Sequence, residues 1–479
     1  MTPMIKLFPF FVALPLVLAG CTSTNPQAAF DDVGRQVSTR TGQELRWMRD
    51  DAVRAEIETA VAELLRTNLT ADSCVRIALL NNRTLQAEFE SIGISQAELG
   101  QASRLKNPEF VGTWKMPASA IPGVNAEYTL AQNLLDLIML PARKKIAAQN
   151  LESTKLRVAH EVLKLNEEVR KAFFTGQAQQ QFVERLSIIV EVNEAAADLA
   201  VRQHDAGNIN DLELHTQRAA YNESRLDLAL AEAQVRSNRE RLNRLLGLWG
   251  NQIAWQISDA LPSLPEEEPQ LEHLEAIAIN QRLDLAAARG EGIAIAGALK
   301  LKKDFRYLPG VSVGVDAERD LDRSWLVGPS LALEIPLFDQ GQGQVAHLEA
   351  EYRRAQRHFE ALAINIRSEV REARDTLITA RDVADYHQRI LLPQRQMILH
   401  EWLLQYNAMQ KSSYALLMAK EREQQEEQAT IEALRDYWIA RAKLERAVGG
   451  SLTTNVSPMT SPMSATDAEM PQHEHNHGN

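Results

Sequence analysis

The sequence predicts a mainly α-helical fold with a small β part, organised as one unit of helix, hairpin and long helix pair written twice. Three observations carry that reading. Apolar residues recur at steps of three and four over stretches far longer than a globular helix, as in Val158, Val162, Leu165, Val169 and Phe173. Four short segments abandon that period and alternate apolar with polar, the spacing of a strand. Short matches also return in the same order at a spacing of about 200 residues, the mark of an internal duplication.

From the N-terminus, residues 1–20 read as a secretory signal. Lys6 is followed by an apolar run from Leu7 to Leu18, too short to span a bilayer, and then by small residues. Leu18-Ala19-Gly20-Cys21 resembles the lipobox of bacterial lipoproteins, whose cysteine becomes the acylated first residue of the mature chain. That resemblance implies lipidation at Cys21, and Thr22 rather than Asp behind it favours the outer membrane. An ordinary signal with a chance cysteine is the alternative. Residues 21–71 follow as an N-terminal anchor and periplasmic segment.

The duplication divides the rest into 72–254, a Pro/acidic linker at 255–271, and 272–450. Asn82 to Ala87 returns as Arg282 to Ala287, Glu168 to Ala172 as Glu369 to Ala373, and Leu242 to Gly247 as Leu444 to Gly449. In the first half strands are expected at about 109–135, where Val124, Ala126, Tyr128 and Leu130 alternate with Asn125, Glu127 and Thr129. In the second they fall at about 310–336, with Val311, Val313 and Val315 on one strand and Trp325, Val327, Leu331 and Leu333 on the next. Each strand is expected to run about ten residues, and an isolated hairpin is marginal, so these must pair with something else. A helix from Pro141 to about Ala206 approaches ~100 Å at 1.5 Å per residue. Its counterpart carries the seam Leu362, Ile366, Val370, Ala373, Leu377, Ala380 and Ala384. Turns close the helix pairs at about 204–212 and 405–415, and 451–479 reads as a disordered tail rich in Met and His.

Composition removes several function classes. With 52 Lys and Arg against 64 Asp and Glu the formal charge is −12, which argues against nucleic acid as the main partner. Aromatics are only 6% of residues while hydrophobic residues reach 45%, the balance of lengthwise-packed helices. The folded part holds no Gly-rich phosphate loop, no HExxH and no nucleophile elbow, so the chain is not read as an enzyme and no cofactor is expected.

Ala78-Leu79-Leu80-Asn81-Asn82 opens the first half, Ala206-Gly207-Asn208-Ile209-Asn210-Asp211-Leu212 marks a helical tip, and Arg241 to Gly247 closes the half. Pro336-Leu337-Phe338-Asp339-Gln340-Gly341-Gln342-Gly343 is a strand-to-helix turn in the second. In this order, with the lipobox and the repeat, they resemble the TolC-like outer membrane efflux proteins over about residues 60–450. The resemblance implies a lipid-anchored homotrimer in the outer membrane. Its twelve strands would close a transmembrane β-barrel, and its helices would continue as an α-helical barrel through the periplasm. A periplasmic adaptor and an inner-membrane pump are the implied partners. Closure agrees with physics, because a bilayer tolerates no open sheet edge. Val124, Tyr128, Leu130, Trp325, Val327, Leu331 and Leu333 would then face lipid, and Asn125, Glu127, Thr129, Ser330 and Glu334 the lumen. Trp114, Tyr128 and Trp325 are the interfacial aromatics.

The resemblance also implies tips that dock the adaptor and narrow into a gate: Gly207, Asp211 and Glu213 at the first, Met409 and Gln410 at the second. The sequence departs there, since 412–419 holds no acid and Met409-Gln410 stands where glycine is common. A helix-start role is the alternative for Asp211. In the tail, Met459, Met463 and Met470 with His473, His475 and His477 form a thioether and imidazole set that suits copper. A polar tail without a ligand role fits the same composition. The functional expectation is thus the outer-membrane duct of a tripartite efflux system, carrying heavy-metal cations. The alternatives are a general toxicant duct of that family or a lipid-anchored periplasmic coiled-coil scaffold.

Overall fold

The computed structural model describes residues 25–116, 123–258, 260–266, 271–308 and 310–452. Four helices open the chain: α1 (Gln27–Thr41), α2 (Asp51–Leu64), α3 (Ala71–Asn81) and α4 (Arg83–Ala102). Hairpin β1 (Glu109–Lys115) and β2 (Asn125–Asn133) follows, then α5 (Leu134–Asp205) and α6 (Asp211–Leu246). The second half repeats this as α7 (Leu274–Gln281), α8 (Leu283–Asp304), β3 (Val311–Arg319), β4 (Trp325–Leu333), α9 (Gln342–Tyr386), α10 (Leu392–Asn407) and α11 (Ser413–Val448).

The repeat is visible in the backbone itself. Asn82 separates α3 from α4 at φ −64°, ψ 115°, and Arg282 separates α7 from α8 at φ −64°, ψ 120°. Each joint packs against the glycine that ends its own half. Gly247 turns left-handed at φ 69° against the Asn81 carbonyl, and Gly449 at φ 94° against Gln281. Side chains tie the first joint: Asn81 Nδ2 donates to the Gly247 carbonyl at 2.8 Å and Asn82 Nδ2 to that of Leu245 at 2.8 Å. In the second half Arg282 takes over, donating to the Ala447 carbonyl at 3.3 Å. The C-terminal carbonyls of both closing helices thus find partners more than 160 residues away in sequence, as buried polar groups require.

Helix α5 runs 72 residues, about 108 Å, and starts seven residues before the expected Pro141. Asn133 Oδ1 accepts from the Asp136 backbone N–H at 3.1 Å, so the cap sits at the end of β2 and the proline falls inside. The missing proline N–H forfeits one backbone bond, which a helix this long tolerates. On the other side α9 and α10 are separated by a wide π turn, His387–Leu391, just before Pro393. The expected seams are the packed ones: Val158, Val162, Val169 and Phe173 are buried, as are Ile366, Val370, Ala373, Leu377 and Ala384.

The N-terminal helices clasp this bundle. Phe30 meets Phe89 edge-on at 5.1 Å and Trp47 at 5.4 Å, while Trp47 Nε1 donates to Glu90 at 2.9 Å. Lys155 of α5, its side chain 6% exposed, donates to Asp32 of α1 at 2.8 Å. Burying each large side chain contributes roughly 1.5–3 kcal/mol. Cys74 lies in the same core, and burial pushes its thiol up to about 12, which leaves it inert at neutral pH.

The two hairpins find the partners they need in each other. β2 pairs with β3, giving one antiparallel sheet in the order β1-β2-β3-β4. Its strands hold seven or nine residues, shorter than the expected ten. Among the described residues β1 and β4 each have one unpaired edge.

Candidate functional site

Register converts the alternation of four separate strands into two opposite surfaces. Tyr128 stands beside Gly112 on one side and Ala317 on the other, and Ala317 beside Val327. Leu130 pairs with Val315, and Val313 with Leu331. Directly paired residues share a face. One face therefore carries Tyr128, Leu130, Trp325, Val327, Leu331 and Leu333, with Val124 in phase just before β2. Phe110, Val313 and Val315 join them through the register. Apart from the half-buried Tyr128, these side chains are exposed although large and apolar: Val327 is 68% and Leu331 71% accessible. An aromatic cluster stiffens the face, with Tyr128 between Phe110 at 6.2 Å, Trp114 at 6.0 Å and Trp325 at 6.4 Å.

The opposite face carries Asn125, Glu127, Thr129, Ser330, Asp316 and Glu318. Lys115 and Glu127 form an ion pair at 3.1 Å, and Asn125 Nδ2 donates to Glu318 at 2.6 Å. Glu334 lies just past β4, its backbone N–H donating to the Gly310 carbonyl at 3.1 Å. Val111 and Leu326 share this face, which is otherwise polar. A sheet with one exposed apolar face and one mainly polar face suits a wall between hydrocarbon and water.

The far ends of the helix pairs form the two tips. At the first, Gly207 adopts φ 72°, and its N–H donates to the His204 carbonyl at 2.8 Å. The next helix is capped by Asn210, whose Oδ1 accepts from the Glu213 N–H at 2.9 Å, so the helix-start role offered for Asp211 belongs to its neighbour. Asp211 instead meets His204 Nε2 at 2.8 Å across the turn. At the second tip Met409 takes the place of Gly207, with φ 57° and a side chain 94% exposed, and the Gln410 N–H closes the turn on the Gln405 carbonyl at 2.9 Å. A side chain in this left-handed region costs about 1–2 kcal/mol, partly offset by the greater freedom that glycine loses on folding. Met409→Gly is therefore expected to stabilise the second tip by up to about 1 kcal/mol and Gly207→Ala to cost about 1 kcal/mol, read as shifts in thermal unfolding.

Two further contacts shape the tips and the helices above them. Tyr414 Oη donates to Gln203 at 3.0 Å and ties the start of α11 to the end of α5. Higher on α11, Glu423 and Glu427 point inward, paired with Lys420 at 2.7 Å and with Arg185 of α5 at 3.0 Å. Burial and the Glu423 charge push the Glu427 carboxyl up, while Lys420 and Gln424 hold Glu423 down against its own burial. Acids missing from 412–419 thus begin at Glu421, and the two inward-facing ones lie about one and two turns beyond Ala419. The run Glu421 to Glu427 was the available signal, but its glutamates occupy several sides of one helix.

Cys21 and His473, His475 and His477 lie outside the described residues. Among the described residues no group of three or more His, Cys, Asp or Glu is placed to hold a metal ion. No described helix is long and apolar enough to cross a membrane.

Residues 74–248 match the family model described as outer membrane efflux protein. The chain is similar to the cobalt-zinc-cadmium resistance protein CzcC of Cupriavidus metallidurans, 24% identical over 335 residues, with coverage of 68% of this chain and 77% of that protein. In fold it is similar to the CmeC outer membrane channel of Campylobacter jejuni, with a TM-score of 0.68, 17% identity, and coverage of 79% of this chain and 85% of that one. It is likewise similar to CusC, whose crystal structures concern folding and transmembrane channel formation. There the TM-score is 0.65 and the identity 18%, over 80% of this chain and 93% of CusC.

Proposed function

We propose that this chain, a member of the TolC-like outer membrane efflux family, is the passive outer-membrane duct of a tripartite system that exports heavy-metal cations. The observation that carries the duct is the sheet: an exposed apolar face, a mainly polar face behind it, and, among the described residues, an unpaired edge on β1 and on β4. Three copies joined edge to edge would close a twelve-stranded barrel and leave no edge in the bilayer. The helices would prolong it through the periplasm to an adaptor and an inner-membrane pump at the tips. Gly207, Asp211, Glu213, Met409 and Gln410 lie at those tips and are the residues proposed to dock or gate.

Metal cargo is supported by the likeness to CzcC. Copper is the first choice because Met459, Met463 and Met470 with His473, His475 and His477 offer soft and borderline ligands together. Deleting the protein should sensitise cells to copper more than to dyes or detergents, with a smaller effect from removing 459–479 alone. Equal sensitisation to every toxicant, with no metal bound by a tail peptide, would leave a general efflux duct. In detergent the full chain should be a three-fold particle that conducts in planar bilayers; a stable, detergent-independent monomer would sink the channel.

Anchoring is proposed at Cys21. Mass spectrometry of the mature N-terminus should find an acylated Cys21, and Cys21→Ala should accumulate precursor. A mature chain beginning elsewhere without lipid would rule the anchor out.

A further inference from the structure

The helices that enter and leave the sheet carry their cations at one height. Gly290 of α8 lies against Ser153 and Gly297 against Ile146, so α8 climbs toward the sheet as α5 descends from it. Ser95 of α4 hydrogen-bonds Thr154 at 3.0 Å, which fixes α4 in the same way. These pairings bring Arg104 and Lys106, Arg143 to Lys145, and Lys300 to Arg306 into one band, roughly 5–17 Å below Leu134 at 1.5 Å per residue. Segments 103–108, 134–147 and 298–309 together hold nine Lys or Arg and two acids, in a chain whose formal charge is −12. The fourth junction, 334–349, is acidic, and its Glu349 is paired with Lys303 at 2.6 Å.

Several of these cations are uncommitted. Lys144, Lys145 and Lys300 are exposed and Lys302 is half-buried, and among the described residues none of the four has a carboxylate partner. Between them and the sheet lies an exposed apolar belt, with Leu137 at 54%, Ile138 at 57% and Phe338 at 93% accessibility. The sequence of surfaces down the molecule is thus apolar sheet face, apolar belt, basic band. That order matches hydrocarbon followed by phosphate headgroups, where Lys and Arg stems cross the apolar layer and their charges meet the phosphates.

We propose that this basic collar binds anionic phospholipid headgroups at the periplasmic surface of the membrane and sets the depth at which the channel sits. The proposal rests on the sheet spanning that membrane. It assigns the charge on these segments to the lipid rather than to the cargo, since the collar would repel the cations that the duct is proposed to carry.

The test reconstitutes the full chain in phosphatidylcholine vesicles containing spin-labelled phosphatidylglycerol or spin-labelled phosphatidylcholine, and measures the motionally restricted fraction of each. Preference for phosphatidylglycerol should approach fivefold for each cation that meets a headgroup, from roughly 1 kcal/mol per Lys or Arg, and should weaken with salt. The combined variant Lys144→Gln, Lys145→Gln, Lys300→Gln and Lys302→Gln should lose it. A control with Lys164→Gln and Lys171→Gln, far down α5, should keep it. Both variants should conduct in planar bilayers like the parent. No preference in the parent, or equal preference in parent and collar variant, overturns the collar while conductance leaves the channel standing. No restricted lipid of either kind, together with no conductance, removes the channel itself.

Discussion

Arginine at Val327 or Leu331 is expected to prevent assembly in the membrane. Both side chains stand on the apolar sheet face, 68% and 71% exposed, and register puts them in line with Ala317 and Val313 of β3. A charged residue on the lipid face of a barrel costs about 2–4 kcal/mol near the midplane, and a trimer would bear that cost three times. Thr129→Arg provides the comparison. It lies one residue from Tyr128 and Leu130 on β2, paired with Asp316 on the polar face, so a new cation there meets water and a carboxylate. Thr129→Arg should assemble and conduct with altered ion selectivity, while Val327→Arg and Leu331→Arg should be lost from the outer-membrane fraction. Equal recovery of all three variants would mean that the two faces are not divided between lipid and water.

Arg282→Ala should destabilise the second half by about 3–5 kcal/mol, the range for removing one partner of a buried ion pair. The Arg282 side chain is only 3% exposed, and its fork reaches Asp284 at 2.6 Å and Glu369 at 2.9 Å. Alanine would leave Asp284, 18% exposed, with only the Leu285 N–H at 3.0 Å and His160 at 3.9 Å, and free the Ala447 carbonyl that closes α11. Arg282→Lys should fall between, since it keeps the charge but not the two-pronged geometry. Thermal unfolding in detergent reads both effects. Burial alone would raise the Asp284 carboxyl, but the hydrogen bonds and charge of Arg282 outweigh it and hold it below the usual range. The resulting stabilisation is fully present above the ordinary aspartate range and is lost as pH falls through the depressed folded value. The parent should therefore lose more stability than Arg282→Ala on acidification below about pH 4. Parallel losses in the two proteins would show that Arg282 does not hold Asp284 ionised.

Much of the site was legible because it is written in short-range periods. The alternation through Val124, Ala126, Tyr128 and Leu130 specifies two faces from one strand, since consecutive side chains must point opposite ways. The seams of α5 and α9 likewise reveal their packed sides. Helix starts were less legible. Pro141 argues for a beginning at that point, yet the Asn133 cap and the end of β2 together place it at Leu134. Tip chemistry was partly legible: Gly207 announces its turn, whereas Met409 makes the same turn with a residue that local rules disfavour.

By itself, the sequence determined the mainly helical class with a small β part, and its local periods set the expectations for the duplication, the two faces of each strand and both tips. All depend on neighbours within a few residues, or on one half resembling the other. The tertiary structure alone decided that β2 joins β3 to make one sheet from two repeats, and that Phe110 shares a face with Val313. It also decided that Glu427 of α11 turns inward to Arg185, that Arg282 replaces the Asn81 and Asn82 pair at the second joint, and that cations from three separated segments reach one height. Each of those outcomes is a contact between residues far apart along the chain. Their free energy depends on packing and register between elements, which local periodicity does not encode.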